Sequence, residues 1–113
     1  MPDIPRAMDL ALRTSIHEWR RIRFRYHDEE RLVEPQCYGL GKRGTVLLRA
    51  YQPKGGSALE PTFDVAKIEG LEVLDEHFDA PGPNYHMNDS AMIEIHAQLD
   101  PTRPRGARRT RGT

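Results

Sequence analysis

The sequence has little of what marks secreted, membrane-spanning or disulfide-bonded proteins. Its 113 residues include one cysteine, Cys37, so no disulfide can form within the chain, which suits a reducing compartment. No apolar run approaches the ~20 residues that a membrane-spanning helix needs. Residues 1–12 also lack the basic segment and apolar core of a signal peptide. These features predict a cytoplasmic protein that does not associate with membranes.

Sequence motifs of catalysis and metal binding are missing as well. There is no P-loop, no nucleophile elbow and no HExxH zinc motif. The histidines His77, His86 and His96 follow none of the spacings that metal sites use. Cys37 with a distant histidine is a combination that chance supplies easily. We therefore predict that the chain is not an enzyme and has no metal site and no cofactor.

The charge is distributed unevenly along the chain. Seventeen basic residues balance seventeen acidic ones overall, but five arginines and no acid fall within residues 101–113. The rest of the chain therefore holds twelve basic residues against seventeen acids. Such a low-complexity Arg/Gly/Pro/Thr segment predicts a disordered tail that contacts nucleic acid nonspecifically. The residues concerned are Arg103, Arg105, Arg108, Arg109 and Arg111.

Hydrophobic periodicity predicts one helix and then a series of strands. Apolar residues from Ala7 to Trp19 recur at helical spacing and indicate an amphipathic helix. Strands are predicted near residues 21–27, 31–38, 45–52, 62–65 and 68–74, with glycines and prolines between them. Pro35 indicates a sheet edge or a bulge in the second strand. Residues 91–99 fit a helix or a strand, and their alternation favours the strand.

This element order predicts a mainly β (α+β) fold. About five short antiparallel strands after a helix are typical of a small barrel or a strongly curled sheet. We expect a single domain over residues 6–99, a loose segment over residues 1–5 and the arginine-rich tail over residues 100–113. A core of this size favours dimerisation or a docked protein partner.

The first predicted hairpin places a charge on an apolar face. If Asp28 and Glu29 form its turn, side chains of one face pair across the two strands. Five of these six side chains are apolar, and a charge among them costs several kcal/mol unless it is paired or solvated. The charged member, Arg31, is therefore the strongest candidate for a functional residue. The predicted pairs are Tyr26 with Arg31, Phe24 with Val33, and Ile22 with Pro35.

Three arginines occupy the opposite face of the first strand. Arg21, Arg23 and Arg25 recur at period two. This pattern favours a solvated outer face, and a stripe that tracks a phosphate backbone is the alternative. Glu34 is expected opposite Arg23, where it would partly neutralise the stripe.

Several short motifs follow one another along the predicted strands. They are Phe24-x-Tyr26, Arg31-x-Val33-Glu34-Pro35, Gly39-x-Gly41, Gly44-x-Val46-Leu47-Leu48-Arg49-Ala50-Tyr51, Phe63-x-Val65-x-Lys67-Ile68 and Glu76-His77-Phe78. Their order and spacing resemble the WYL domain, and more closely its short stand-alone members. The resemblance covers most of the chain. The domain is named for a Trp-Tyr-Leu triplet, of which this chain keeps only the leucine, Leu48, after Val46 and Leu47.

The resemblance implies an SH3-like or Sm-like barrel with an N-terminal helix and a basic ligand groove. The position of Arg31 matches an arginine of that groove. Arg49, Tyr51 and Lys67 complete the expected ligand-binding set, with Tyr51 offering a ring for base stacking. A half-buried barrel tyrosine is the alternative for Tyr51. Asp64 departs from the basic residue that close relatives often carry.

The sequence thus leads to two hypotheses of function. The first is a ligand-sensing regulatory module that binds an anionic, nucleotide-like or short single-stranded nucleic-acid ligand and acts through a partner. The alternative is a small structural or protein-interaction barrel that has no small-molecule ligand and dimerises or docks through its edge strands. The surroundings of Arg31 discriminate between them, because a structural arginine would pair with an acid such as Glu34 or Glu76.

Overall fold

The computed structural model describes residues 4–53 and 60–102 of the chain. Within these two ranges, one helix precedes six strands, and a single 3-10 turn, Val65–Lys67, follows the fourth strand. The predicted mainly β, α+β class is confirmed, with six strands where about five were expected. In chain order the elements are α1 (Arg6–His17), β1 (Arg20–Tyr26), β2 (Glu29–Gly41), β3 (Val46–Tyr51), β4 (Thr62–Asp64), β5 (Glu69–His77) and β6 (Met92–Gln98).

The thirteen-residue strand β2 joins the two halves of the sheet. Its first half pairs with β1, and its second half pairs with β3 and with β6. All pairings are antiparallel, and the strands follow the order β4-β3-β2-β1-β5 with β6 attached to β2. The result is a small barrel-like sheet that is not closed among the described strands.

An irregularity at Pro35 accompanies the change of partners along β2. The register with β3 shifts between Pro35 and Cys37. Proline cannot donate a ladder hydrogen bond, so within a sheet it is found at edges and bulges. Pro35 pairs with Ala50 of β3, whereas the ladder with β1 runs to Val33 and that with β6 begins at Cys37, so a bulge and a local break in the ladder coincide at Pro35.

The β1–β2 hairpin turns one residue earlier than the sequence predicted. His27 and Asp28 both adopt positive φ, 53° and 63°, as a two-residue hairpin turn requires. The register therefore shifts by two residues, so that Ile22 faces Val33 and Phe24 faces Arg31. A shift of two preserves the faces, because side chains alternate with period two. The predicted pairs were wrong, but the shared face of Phe24 and Arg31 was right.

Helix α1 packs on the sheet through the later part of its apolar stripe. Leu12 and Ile16 are fully buried, whereas Leu10, which belongs to the predicted stripe, is 50% exposed. Trp19 follows the helix, and its ring lies 5.4 Å from that of Phe78. The predicted strand at the C-terminal end is confirmed as β6. The core that α1 covers includes Ile22, Phe24, Val33, Tyr38, Leu48, Phe63, Ala97 and Leu99.

The edges of the sheet are short or irregular. Strand β4 has three residues. The register between β1 and β5 shifts twice. Strand β6 bulges twice against β2, at Ile93 and at His96. Short strands and bulges prevent edge-to-edge pairing with other chains.

Several predictions concern residues that lie outside the described ranges. These are residues 1–3, most of the loop after β3, and the arginines of the tail from Arg103 onwards. Ile4, which was predicted to be loose, packs against the core. Among the described residues, no helix has the length and apolarity to cross a membrane.

Replacing Trp19 by alanine tests the importance of the helix–sheet contact. Trp19 is 2% exposed, and removing a buried tryptophan side chain typically costs about 3–5 kcal/mol. Since small domains have little stability in reserve, we expect Trp19→Ala to be largely unfolded at room temperature by circular dichroism and urea titration. Leu10→Ala, at an exposed position of the same helix, is the control and should melt like wild type. A cooperative, wild-type melt of Trp19→Ala would contradict this account of the core.

Candidate functional site

Arg31 lies on the core side of the β1–β2 hairpin and is only partly covered. Its side chain is 20% exposed. Nη1 donates a 3.1 Å hydrogen bond to Oε1 of Gln52, and Nη2 lies 3.2 Å from Oε1 of Glu29. The predicted structural alternative named Glu34 or Glu76 as its acid, but both of these pair with Arg21 instead. The ion pair of Arg31 is therefore with Glu29, whose side chain is 72% exposed.

Two aromatic rings support the guanidinium of Arg31. Its central carbon lies 5.8 Å from the ring centroid of Tyr26 and 5.7 Å from that of Phe63. A guanidinium at this distance from aromatic rings is attracted by their quadrupoles. Nε is buried and has no hydrogen-bond partner among the described residues. The rings and Gln52 hold the group in place, while its carboxylate partner stays in water.

Arg49 lies on strand β3 and is tied to the segment that leads into β6. Its Nε lies 2.6 Å from Oδ2 of Asp89, and Nη2 lies 3.3 Å from Oδ1, so the pair is bidentate. Nη1 also donates to the carbonyl oxygen of Glu60 at 3.2 Å. Burial tends to raise the pKa of Asp89, but hydrogen bonds from Arg49 and from the Ala91 amide outweigh it and lower the pKa. Arg49 is thus committed to an internal contact.

Arg31 and Arg49 lie on opposite faces of the sheet. Buried and half-buried residues alternate along β3, so that Arg49 and Tyr51 share the face opposite Leu48. Leu48 pairs with Phe63, and Phe63 is the residue that supports Arg31. Arg31 therefore does not converge with Arg49 and Tyr51 on one groove in this structure.

The other two predicted ligand residues have different surroundings. Tyr51 is half-buried beside Gly82. A Cβ added at Gly82 would lie 3.1 Å from the Cβ of Tyr51. That position fits the predicted alternative of a half-buried barrel tyrosine. Lys67 is exposed at the end of the 3-10 turn. Ligand binding by any of the four residues stays a prediction.

The arginines on the outer face of β1 are largely paired with acids. Arg23 lies 2.6 Å from Glu72 and 3.6 Å from Glu30. Arg21 pairs with the buried carboxylate of Glu34. Glu34 was predicted opposite Arg23, but the two-residue shift of register brings it to Arg21. The solvated outer face is therefore the better description of this stripe. Acidic side chains of the neighbouring strands β2 and β5 form ion pairs with Arg21 and Arg23.

A polar cluster between α1 and the sheet was missed by the sequence analysis. Tyr38 donates a 2.7 Å hydrogen bond to Asp9, and Arg13 contacts the same carboxylate. Arg13 also donates to the carbonyl oxygen of His96 on β6 at 3.2 Å. Burial tends to raise the pKa of Asp9, but the bonds from Tyr38 and Arg13 outweigh it and lower the pKa. No local sequence pattern indicates contacts between residues that are so distant in the chain.

The cysteine and the potential metal ligands of the described residues have the following surroundings. Cys37 is buried, and burial raises the pKa of its thiol to about 11, so the reactive thiolate is scarce at neutral pH. Among residues 4–53 and 60–102, no three His, Cys, Asp or Glu side chains are grouped to hold a metal ion.

Compared with models of known protein families and with curated protein sequences, the chain matches none.

Breaking the Arg49–Asp89 pair should destabilise the fold in a pH-dependent way. Hydrogen bonds between charged groups contribute about 1.5–3 kcal/mol, so Asp89→Asn and Arg49→Gln should each cost about 2 kcal/mol and the double variant less than their sum. A lowered pKa means that the stabilisation is present above the ordinary value of 3.8 and is lost as the pH falls below it.

Urea titrations at several pH values measure this effect. As the pH is lowered from 5, the free energy of unfolding should fall more for wild type than for Asp89→Asn. Glu72→Gln, which breaks an exposed pair on the outer face, is the control and should change little. Strictly additive losses for the Arg49 and Asp89 variants would show that the two side chains are not coupled.

Proposed function

We propose that this chain is a small non-catalytic binding module, related to WYL domains, that recognises an anionic ligand through Arg31 and acts through a protein partner. One observation carries the proposal. Arg31 is held on the core side of a hairpin by two rings and by Gln52, while its acid partner, Glu29, is mostly in water. A ligand anion can take the place of Glu29 without disturbing the groups that position the arginine.

The energetics of this exchange favour a ligand over Glu29. Exposed ion pairs contribute at most about 1 kcal/mol, so displacing Glu29 costs little. An arginine that is already ordered loses less side-chain entropy when it binds, and its planar fork suits the paired oxygens of a phosphate or carboxylate. The WYL resemblance adds nucleotides and short single strands as the candidate ligands.

The contact set that we propose is narrower than the sequence indicated. Arg49 is occupied by Asp89, and Tyr51 lies with it on the other face. We therefore keep Arg31 as the anion contact, with Lys67 as an exposed cation of the neighbouring 3-10 turn. Docking of a partner through strand edges is disfavoured, because the described edges are short or bulged.

Substitutions of Arg31 test the ligand role directly. We expect Arg31→Ala to weaken binding about ten- to a hundredfold, as the loss of a charge-assisted contact does. Arg31→Lys should also bind poorly, because a point charge cannot replace the fork. The measurement is a titration with nucleotides and short oligonucleotides, together with thermal unfolding. Arg20→Ala is the matched control, since Arg20 is 24% exposed and also pairs with exposed acids.

A second substitution separates ligand binding from a structural role. Glu29→Gln removes the acid that competes for Arg31, so it should strengthen binding by up to about fivefold. A structural arginine predicts instead a small loss of stability and no gain in affinity. No ligand for wild type, together with strong destabilisation by Arg31→Ala, would favour the structural or interaction barrel.

The tail supports a separate proposal of nonspecific nucleic-acid binding. Its five arginines are close in sequence and have no acid among them, although they lie outside the described residues. Five phosphate contacts would give log K against log salt a slope of about −4 to −5 on duplex DNA. Replacing Arg103, Arg105, Arg108, Arg109 and Arg111 by glutamine in the full chain should remove most of that slope in fluorescence anisotropy titrations. An unchanged slope would place the binding elsewhere.

A further inference from the structure

A cavity of about 260 Å³ lies between the start of α1 and the β2–β3 hairpin. Ile4, Leu40, Val46 and Tyr38 line it together with Arg6, and Asp9 and His96 complete the lining. For comparison, a cavity of ~150 Å³ accommodates benzene. We propose that this cavity binds an amphiphilic anion of about ten non-hydrogen atoms, with an apolar body and a single negatively charged head.

The apolar part of the lining suits the body of such a ligand. Val46 is buried, whereas Ile4 and Leu40 are half-buried and pack on the core only in part. A ligand that covers the remaining surface of Ile4 and Leu40 removes apolar area from water, which is favourable by about 25 cal/mol per Å². Purely ionic ligands such as inorganic phosphate would leave this area exposed.

Unpaired cations at the same end of the molecule suit the head. Arg6 lines the cavity, and Lys42 and Arg43 form the turn that follows Leu40 and Gly41. None of these three forms an ion pair with a described residue. The arginines that do form such pairs are Arg13, Arg20, Arg21, Arg23, Arg31 and Arg49.

The turn that carries Lys42 and Arg43 has a defined backbone. The amide of Gly41 donates to Thr45 at 2.7 Å, and the amide of Gly44 donates to Gly41 at 3.1 Å. Gly44 has φ +82°, which other residues rarely adopt. These hydrogen bonds define the backbone from which the side chains of Lys42 and Arg43 project.

The acids near the cavity leave this positive charge in excess. Asp9 is already bound to Tyr38 and Arg13. Glu94 is the cross-strand partner of Leu40 and lies 3.9 Å from His96. Among the described residues that line the cavity, the charge of Arg6 is therefore not matched by a carboxylate, because Asp9 pairs with Arg13. Arg31 lies near the beginning of β2 and this cavity near its end, so the two sites are independent.

Titration of the full chain with octanoate tests the site. Amide chemical shifts around the cavity should change saturably, with a dissociation constant in the millimolar range that is typical of a ligand of about ten atoms. Acetate keeps the head without the body, and octylammonium reverses the charge of the head. Both should bind at least about tenfold more weakly, because one loses the buried methylenes and the other loses the cations.

A pair of charge-matched variants locates the head. Arg6→Gln with Lys42→Gln should weaken octanoate binding about tenfold, whereas Arg23→Gln with Arg25→Gln removes the same charge from the outer face of β1 and should change it less than about twofold. Equal weakening by both pairs would reduce the effect to net charge and overturn the proposal. Three other results would also overturn the proposal: acetate that binds as well as octanoate, chemical-shift changes confined to Arg31 and its neighbours, or the absence of any saturable change.

Discussion

The structure depends on one long strand, β2, which forms hydrogen-bonded ladders with two parts of the sheet. Strand β2 pairs first with β1 and then with β3 and β6, and its register is interrupted at Pro35. Because the strand has partners on both edges in its second half, the curl of the whole sheet is set along it. Helix α1 then covers the core on one side, and the segment before β6 covers the other face through Arg49 and Asp89.

Ion pairing decides which cations remain available for other molecules. The arginines of β1 look like a phosphate-binding stripe in the sequence, but acids on β2 and β5 occupy Arg21 and Arg23. Arg49 is occupied by Asp89. Arg31 differs because rings and an amide, rather than its acid, hold the guanidinium in place. The cations of the β2–β3 turn form no ion pair with a described residue. The two proposals of anion binding rest on this difference.

The sequence predicted on which face of a strand a side chain lies better than it predicted which residues pair with one another. The register of the first hairpin was wrong by two residues, yet Arg31 still lies on the apolar face, because side-chain direction depends only on parity. The strand at the C-terminal end was also identified correctly, although bulges at Ile93 and His96 interrupt the alternation that predicted it and leave Ile93 exposed. Pairs such as Tyr38 with Asp9 could not be predicted, because no local pattern records contacts between distant elements.

What the sequence determined by itself is the local order: one amphipathic helix, short strands broken by glycine and proline, the bulge or edge at Pro35, and a charge on an apolar face. These follow from periodicity and backbone chemistry, which act over a few residues. Only the tertiary structure decided that Arg49 pairs with Asp89, that Arg31 contacts Tyr26 and Phe63, and that the described strands do not close into a barrel. Those outcomes depend on distances between residues that the chain brings together only when it folds.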